Sequence, residues 1–290
     1  MTVIVGCPPE VSSTAAVHLA AMLARSARAR LVVCAIVPVL PRQGTEPESV
    51  PPARIDARAT LESAQASMPA DVEASYVVRE ARSISAAMLE LVAEYDADLI
   101  VVGSSAAGVF GHLALGSVTS RLLHAVQVPV ALAPKEFRMP DQRAVERVTA
   151  AYNGSVDQDW AVLAAAALAA RLDATLRLAA FAVRIPPPYT TRLGTEGDAP
   201  VADEWVSEIE QAATVTQRRV AELPTTPRTV ELSIGFGRTL TESLEDVGWE
   251  TTDILTIGSN RIGPLSRILL GARGAKIVRH SPVPVIVFPH

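Results

Sequence analysis

The stretch GSSAAGVFGHLALGSVTS, from Gly103 to Ser120, is where this chain concentrates residues able to do chemistry. It follows an apolar run, ADLIVV, that reads as a β-strand, and it carries four glycines among small side chains. Glycine lets the main chain approach a ligand closely. A Gly-Ser pair opening a helix offers unpaired N–H groups and the positive end of the helix dipole to an anion. The chemistry this suggests is phosphate binding, with Gly103, Gly116, Ser117 and Val118 as its working positions and Ser104 beside them. A second stretch, GSNRIGPLSRILLGARG, repeats the pattern with Gly258, Gly271, Ala272 and Arg273. Ala272 removes the hydroxyl but keeps the backbone donors. Arg261, Arg267 and Arg273 place positive charge around this second loop, either to meet phosphate or as a solvated face.

Other chemistries find little support. The two cysteines, Cys7 and Cys34, are too few for a disulfide framework or a metal set. They read as reduced, buried thiols, with a redox pair as the alternative. The five histidines show no ligand spacing. There is no G-x-S-x-G elbow and no P-loop, and GARGAK falls short of the latter by its spacing. Asp98 and Asp253 recur between the two stretches, but each precedes its strand at the amino end, away from where a parallel sheet binds ligands. They read as structural caps. No catalytic residue is assigned and the chain is not expected to be an enzyme.

The elements that must position these residues come in two rounds. The 290-residue chain is 49% hydrophobic and 20% charged, enough to bury a sizeable core. Its net charge of −5, without a long basic run, argues against nucleic acid or an anionic membrane as partner. The longest apolar run, AVLAAAALAA, is too short to span a bilayer, and the N-terminus shows no secretory pattern. A cytoplasmic location is expected. DLIVVGSSAAGVFGHLALGS matches DILTIGSNRIGPLSRILLGA, and VPVALAP matches VPVIVFP, both at an offset of 155 residues. Nearer the starts of the halves the offset is 145, so the second half holds about ten extra residues, placed in the loop RIPPPYTTRLGTEGDAP. The halves are read as residues 1–136 and 146–290, joined through the polar segment Lys135–Glu146. Strands alternating with helical stretches predict an α/β fold of two tandem, doubly wound, five-stranded parallel sheets. In such a sheet ligands sit beyond the carboxyl ends of the strands, where Gly103 and Gly258 fall.

Both halves resemble the universal stress protein family, and the whole chain is similar to a tandem member. The resemblance implies a Rossmann-like fold of the adenine nucleotide alpha hydrolase type, and ATP as a bound nucleotide. Nucleotide-binding members carry G-x2-G-x9-G-[ST] after strand four. Here Gly103 and Gly116-Ser117 fit, while Ala106 replaces the middle glycine; in the second half Gly258 and Gly271 fit, with Arg261 and Ala272 departing. The family's Asp after strand one falls at Pro8 and at Asn153, and its glycine after strand three at Glu80 and at Gly235. The backbone near the adenine falls at Ile36 and Phe181. The resemblance implies a stress-response regulator whose nucleotide occupancy alters contact with a protein partner. The alternative is a scaffold of the same fold that binds no nucleotide. It also implies that the apolar fifth strands pair within the chain as an intrachain pseudo-dimer; a dimer of chains is the further assembly expected.

Overall fold

The computed structural model describes residues 1–7, 14–39, 52–104, 113, 116–139, 143–183, 198–259 and 270–290. In the first half the strands are β1 (Thr2–Cys7), β2 (Arg30–Pro38), β3 (Ala74–Ala81), β4 (Leu99–Gly103) and β5 (Val130–Ala133). Helices α1 (Ala15–Ala27), α2 (Pro52–Ala66), α3 (Ile84–Glu94) and α4 (Ser117–Ala125) lie between them. The second half repeats this order as β6 (Arg147–Tyr152), α5 (Asp159–Arg171), β7 (Thr175–Val183), α6 (Asp198–Ala221), β8 (Val230–Gly237), α7 (Leu240–Asp246), β9 (Asp253–Gly258), α8 (Ala272–His280) and β10 (Val285–Phe288). Of the loop expected to hold the extra residues, 184–197 lie outside the described residues, and Asp198 to Pro200 begin α6 instead.

The ten strands form one sheet in the order β3-β2-β1-β4-β5-β10-β9-β6-β7-β8. Pairing within each half is parallel. The halves meet where β5 and β10 run antiparallel, with Val285 opposite Leu132 and Val287 opposite Val130. Both strands are fully buried, so each hides an apolar edge that would otherwise invite pairing with another chain. This is the intrachain pairing expected from VPVALA and VPVIVF.

Continuous apolar strands demand cover on both faces. One face of the sheet packs against α1, α2, α5 and α6, through residues such as Leu19, Ala57, Ala165 and Ile209. The other packs against α3, α4, α7 and α8, through Met88, Leu122, Leu244 and Val278. Alanine dominates α1 and α5, which lets both lie close on the sheet. The seam is tied again by Leu113, whose amide donates to the Arg279 carbonyl at the end of α8, 3.1 Å away. Arg25 at the end of α1 reaches Asp71 through two bonds of 2.5 and 2.7 Å, and its third arm holds the Arg143 carbonyl of the inter-half segment.

The thiols follow strand alternation. Cys7 faces the side covered by α1, whereas Cys34 faces the other side, against Met88 and the Val5 carbonyl. A sheet lies between them, so they cannot form a disulfide without unfolding. Burial pushes the Cys7 thiol up to about 12 and raises Cys34 still further. Both remain protonated near pH 8.5, where an exposed cysteine is half thiolate. Native protein mixed with a thiol reagent at pH 8.5 should therefore label slowly at both positions and rapidly only in denaturant; fast native labelling of either would contradict this packing.

Candidate functional site

The site is built by strands that end and helices that begin. In the first half, Gly103 is the last residue of β4 and lies opposite Ala133 in β5. Among the described residues, a side-chain carbon added to Gly103 would meet Ala16 alone, at 3.9 Å. Gly116 is the N-cap of α4, with φ −71° and ψ 168°, and its carbonyl accepts from Ser120 at 2.9 Å. The amides of Ser117, Val118 and Thr119 precede that first intrahelical bond, so helix geometry leaves them without an intrahelical acceptor. Ser117 is exposed and Val118 half-buried at this helix head. Ile36 is buried in β2, two strands away, opposite Arg79 of β3.

Among the described residues, only Gly154 and Gly248 are glycines with positive φ, so neither Gly103 nor Gly116 is left-handed. What the glycines at the strand end and helix head supply is space, not an unusual dihedral. The amide of Ser104 donates to the Ala133 carbonyl at 2.9 Å, so it serves the sheet rather than an anion. Glu80 and Gly235 lie inside β3 and β8 rather than after them. At Gly235 the missing side chain lets α7 approach: an added carbon would lie 2.0 Å from the Ser243 carbonyl oxygen. Pro8, Ala106, Arg261 and Arg267 lie outside the described residues.

The second half places the same elements but fills the space between them. Gly258 ends β9 and Gly271 caps α8, with φ −53°. An added carbon on Gly258 would lie 2.6 Å from Ala161 and 2.9 Å from the Trp160 ring. The Trp160 indole in turn meets the His290 ring edge-on, with centroids 4.5 Å apart, and the His290 amide donates to the Ser259 hydroxyl at 3.0 Å. Ala272 is exposed at the first position of α8. Beside it, the Arg273 guanidinium donates to the Phe181 carbonyl at 2.7 Å. Two residues expected to line a nucleotide site are thus brought together, and they hold each other. Asn153 is exposed at the end of β6, and its side-chain oxygen accepts from the Ser155 amide at 3.0 Å, turning the chain through Gly154 at φ +74°. Sequence reading did not single out Trp160 or His290. The available signal was the register: Trp160 stands where the first half has Ala15, and Arg273 where it has Val118.

The duplicated sheet, with a glycine at each β4 and β9 end and a glycine-capped helix after it, has a counterpart among known families. The model of the universal stress protein family matches residues 1–134 and again 144–289. The chain belongs to the universal stress protein family. Universal stress proteins of Mycobacterium tuberculosis and Mycobacterium bovis are 32% identical to it over 305 residues, spanning 100% of both chains. The solved structure of a universal stress protein from Archaeoglobus fulgidus superposes with a TM-score of 0.55 at 18% identity, covering 99% of this chain and 96% of that one. A protein of unknown function from Pseudomonas aeruginosa gives 0.59 at 13% identity, covering 99% and 92%. Those two likenesses are of fold alone.

The two Asp positions that recur in this universal stress protein are structural. Asp98 accepts from the Thr2 amide at 2.7 Å and ties β4 to β1. Asp253 is 1% exposed and receives two bonds from Arg147, of 3.0 and 2.6 Å, and one from Arg177. Arg177 also binds Thr149 and the Val247 and Gly248 carbonyls, and stacks on Trp249. Burial, with Arg147 beside it, lowers its guanidinium to about 10 against the opposing pull of Asp253. All of these groups sit at the amino end of the strands, away from the glycine loops. Among the described residues no group of three or more His, Cys, Asp or Glu is placed to hold a metal ion. Nor is any described helix long and apolar enough to cross a membrane.

Proposed function

We propose that this chain is a non-catalytic stress-response regulator that binds adenine nucleotide, with ATP as its ligand, in the crevice of the first half. The observation that supports this is the head of α4. There Gly116 and Ser117 present backbone donors, and a hydroxyl, next to a β4 end where, among the described residues, the Ala16 methyl alone borders Gly103. An anion at that head gains the helix dipole and up to three amides. The adenine would lie toward Ile36 in β2. Regulation follows from occupancy: a protein partner reads the surface at the head of α4 with and without bound nucleotide. Turnover is not part of this reading, because the sequence carries neither a G-x-S-x-G elbow nor a P-loop.

The departure at position 106 sets the affinity. If phosphate binding requires left-handed backbone at this position, glycine adopts it freely whereas alanine pays about 1 kcal/mol. Ala106→Gly is expected to tighten ATP binding by about 1 kcal/mol, or roughly fivefold. Ser117→Ala should weaken it by about the same amount through loss of one donor. Calorimetric titration of ATP into the three proteins tests this. Absence of binding up to millimolar ATP, in wild type and in Ala106→Gly alike, would overturn the reading and leave the fold as an interaction scaffold.

A further inference from the structure

The two halves share a fold and a register, yet their crevices differ. Position for position, the first half has Ala15 at the head of α1 and Val118 at the head of α4, where the second half has Trp160 and Arg273. The consequence falls at one place, the carboxyl ends of β6 and β9, where the strand order reverses. In an open α/β sheet this reversal opens the crevice that takes a ligand.

Two side chains enter that crevice from opposite faces. Trp160 comes from the face covered by α5 and lies on Gly258, whereas at its counterpart Gly103 the nearest contact among the described residues is the Ala16 methyl at 3.9 Å. The His290 ring packs against the outer side of the indole. Arg273 comes from the face covered by α8. Its guanidinium crosses the end of β6, which separates β9 from β7, to reach the Phe181 carbonyl at 2.7 Å. A flat base approaching β7 would have to displace this charge-assisted bond, and a phosphate approaching Gly258 would have to displace the indole.

We infer that Arg273 and Trp160 close the second crevice from within, so that the chain binds one nucleotide per 290 residues and its second half is a self-liganded copy of the first. This rests on the reading of the first crevice as the nucleotide site. The closing groups lie at the margin of the core: Arg273 is exposed and Trp160 half-buried against it, whereas Ala165 and Val278 are fully buried. Restoring the first half's residues should therefore open a site without unfolding the domain.

The test counts sites. Equilibrium dialysis of ATP is run against wild type, against Trp160→Ala/Arg273→Val, and against that double variant carrying Gly116→Val as well, with circular dichroism and a cooperative melt verifying each fold. The expected counts are one, two and one, the last site lying in the second half. Two sites in wild type would overturn the inference and leave the first-half reading intact. A folded double variant still binding one ATP would also overturn it. No site in wild type would sink the first-half reading; one site in the double variant would then still support closure by these side chains, and none would overturn both. If the double variant does not fold, Trp160→Val/Arg273→Ala, which keeps a branched apolar side chain against the core while removing both closing groups, is counted in the same way.

Discussion

Asp253→Ala is expected to be the most destabilising single change at the polar positions described, costing about 3–5 kcal/mol, because it strips two guanidinium groups of their shared counter-ion inside the protein. Asp253 is 1% exposed and Arg177 is 3% exposed. Both arms of Arg147 end on that carboxylate, at 3.0 and 2.6 Å, and the Glu250 amide donates to it at 3.0 Å. Removing it leaves the buried Arg177 guanidinium facing the partly exposed Arg147 with no carboxylate between them. For a chain of this size the midpoint of thermal unfolding should fall by on the order of 10 °C. Asp98, its counterpart in the other half, is the internal control. Its side chain is 43% exposed, and its ion pairs with the N-terminus and Arg171 are long, at 3.9 and 4.0 Å. Asp98→Ala should cost about 1 kcal/mol or less. Melting curves of the two variants followed by circular dichroism check this, and equal losses would contradict the asymmetry.

Gly116→Val is expected to abolish ATP binding while leaving the fold nearly intact. The φ of −71° at this N-cap suits any residue, so no backbone strain follows. Valine is a poorer N-cap than glycine by about 1 kcal/mol or less, which bounds the loss of stability. Its branched side chain, however, would stand where an anion must approach the amides of Ser117 and Val118. Calorimetry should detect no binding at millimolar ATP, against measurable binding in wild type. Unchanged affinity in a folded variant would move the phosphate away from the head of α4.

The fold was legible because it is written twice. Strand and helix order, the buried fifth strands and the polar inter-half segment all follow from apolar runs that recur at fixed offsets. Local pattern also placed Gly116 and Ser117 at the start of α4, since a Gly-Ser pair ahead of an apolar periodicity marks a helix head. What could not be read was which of two identical signals is buried. Asp98 and Asp253 look alike in sequence. They differ in the structure because β7 carries Arg177 where β2 carries Val32, and β6 carries Arg147 where β1 carries Thr2. The glycines, read as places where the main chain approaches a ligand, prove in the second half to be places where neighbouring side chains approach the main chain, as the 2.6 Å distance from Ala161 to a carbon added at Gly258 shows. Arg273 reads in sequence either as a phosphate contact or as part of a solvated face. Only the position of β7 across the end of β6 turns it toward the Phe181 carbonyl.

The central claim, that nucleotide binds at the head of α4 and not at the head of α8, is tested most directly by amide hydrogen exchange with and without millimolar ATP. Amides of Ser117, Val118 and Thr119 have no intrahelical acceptor and should exchange quickly in the free protein. The account predicts that ATP slows exchange in the peptide spanning Gly103 to Ser120 and leaves the peptide spanning Gly271 to His280 unchanged. Protection confined to the second peptide, or no protection in either, would contradict it.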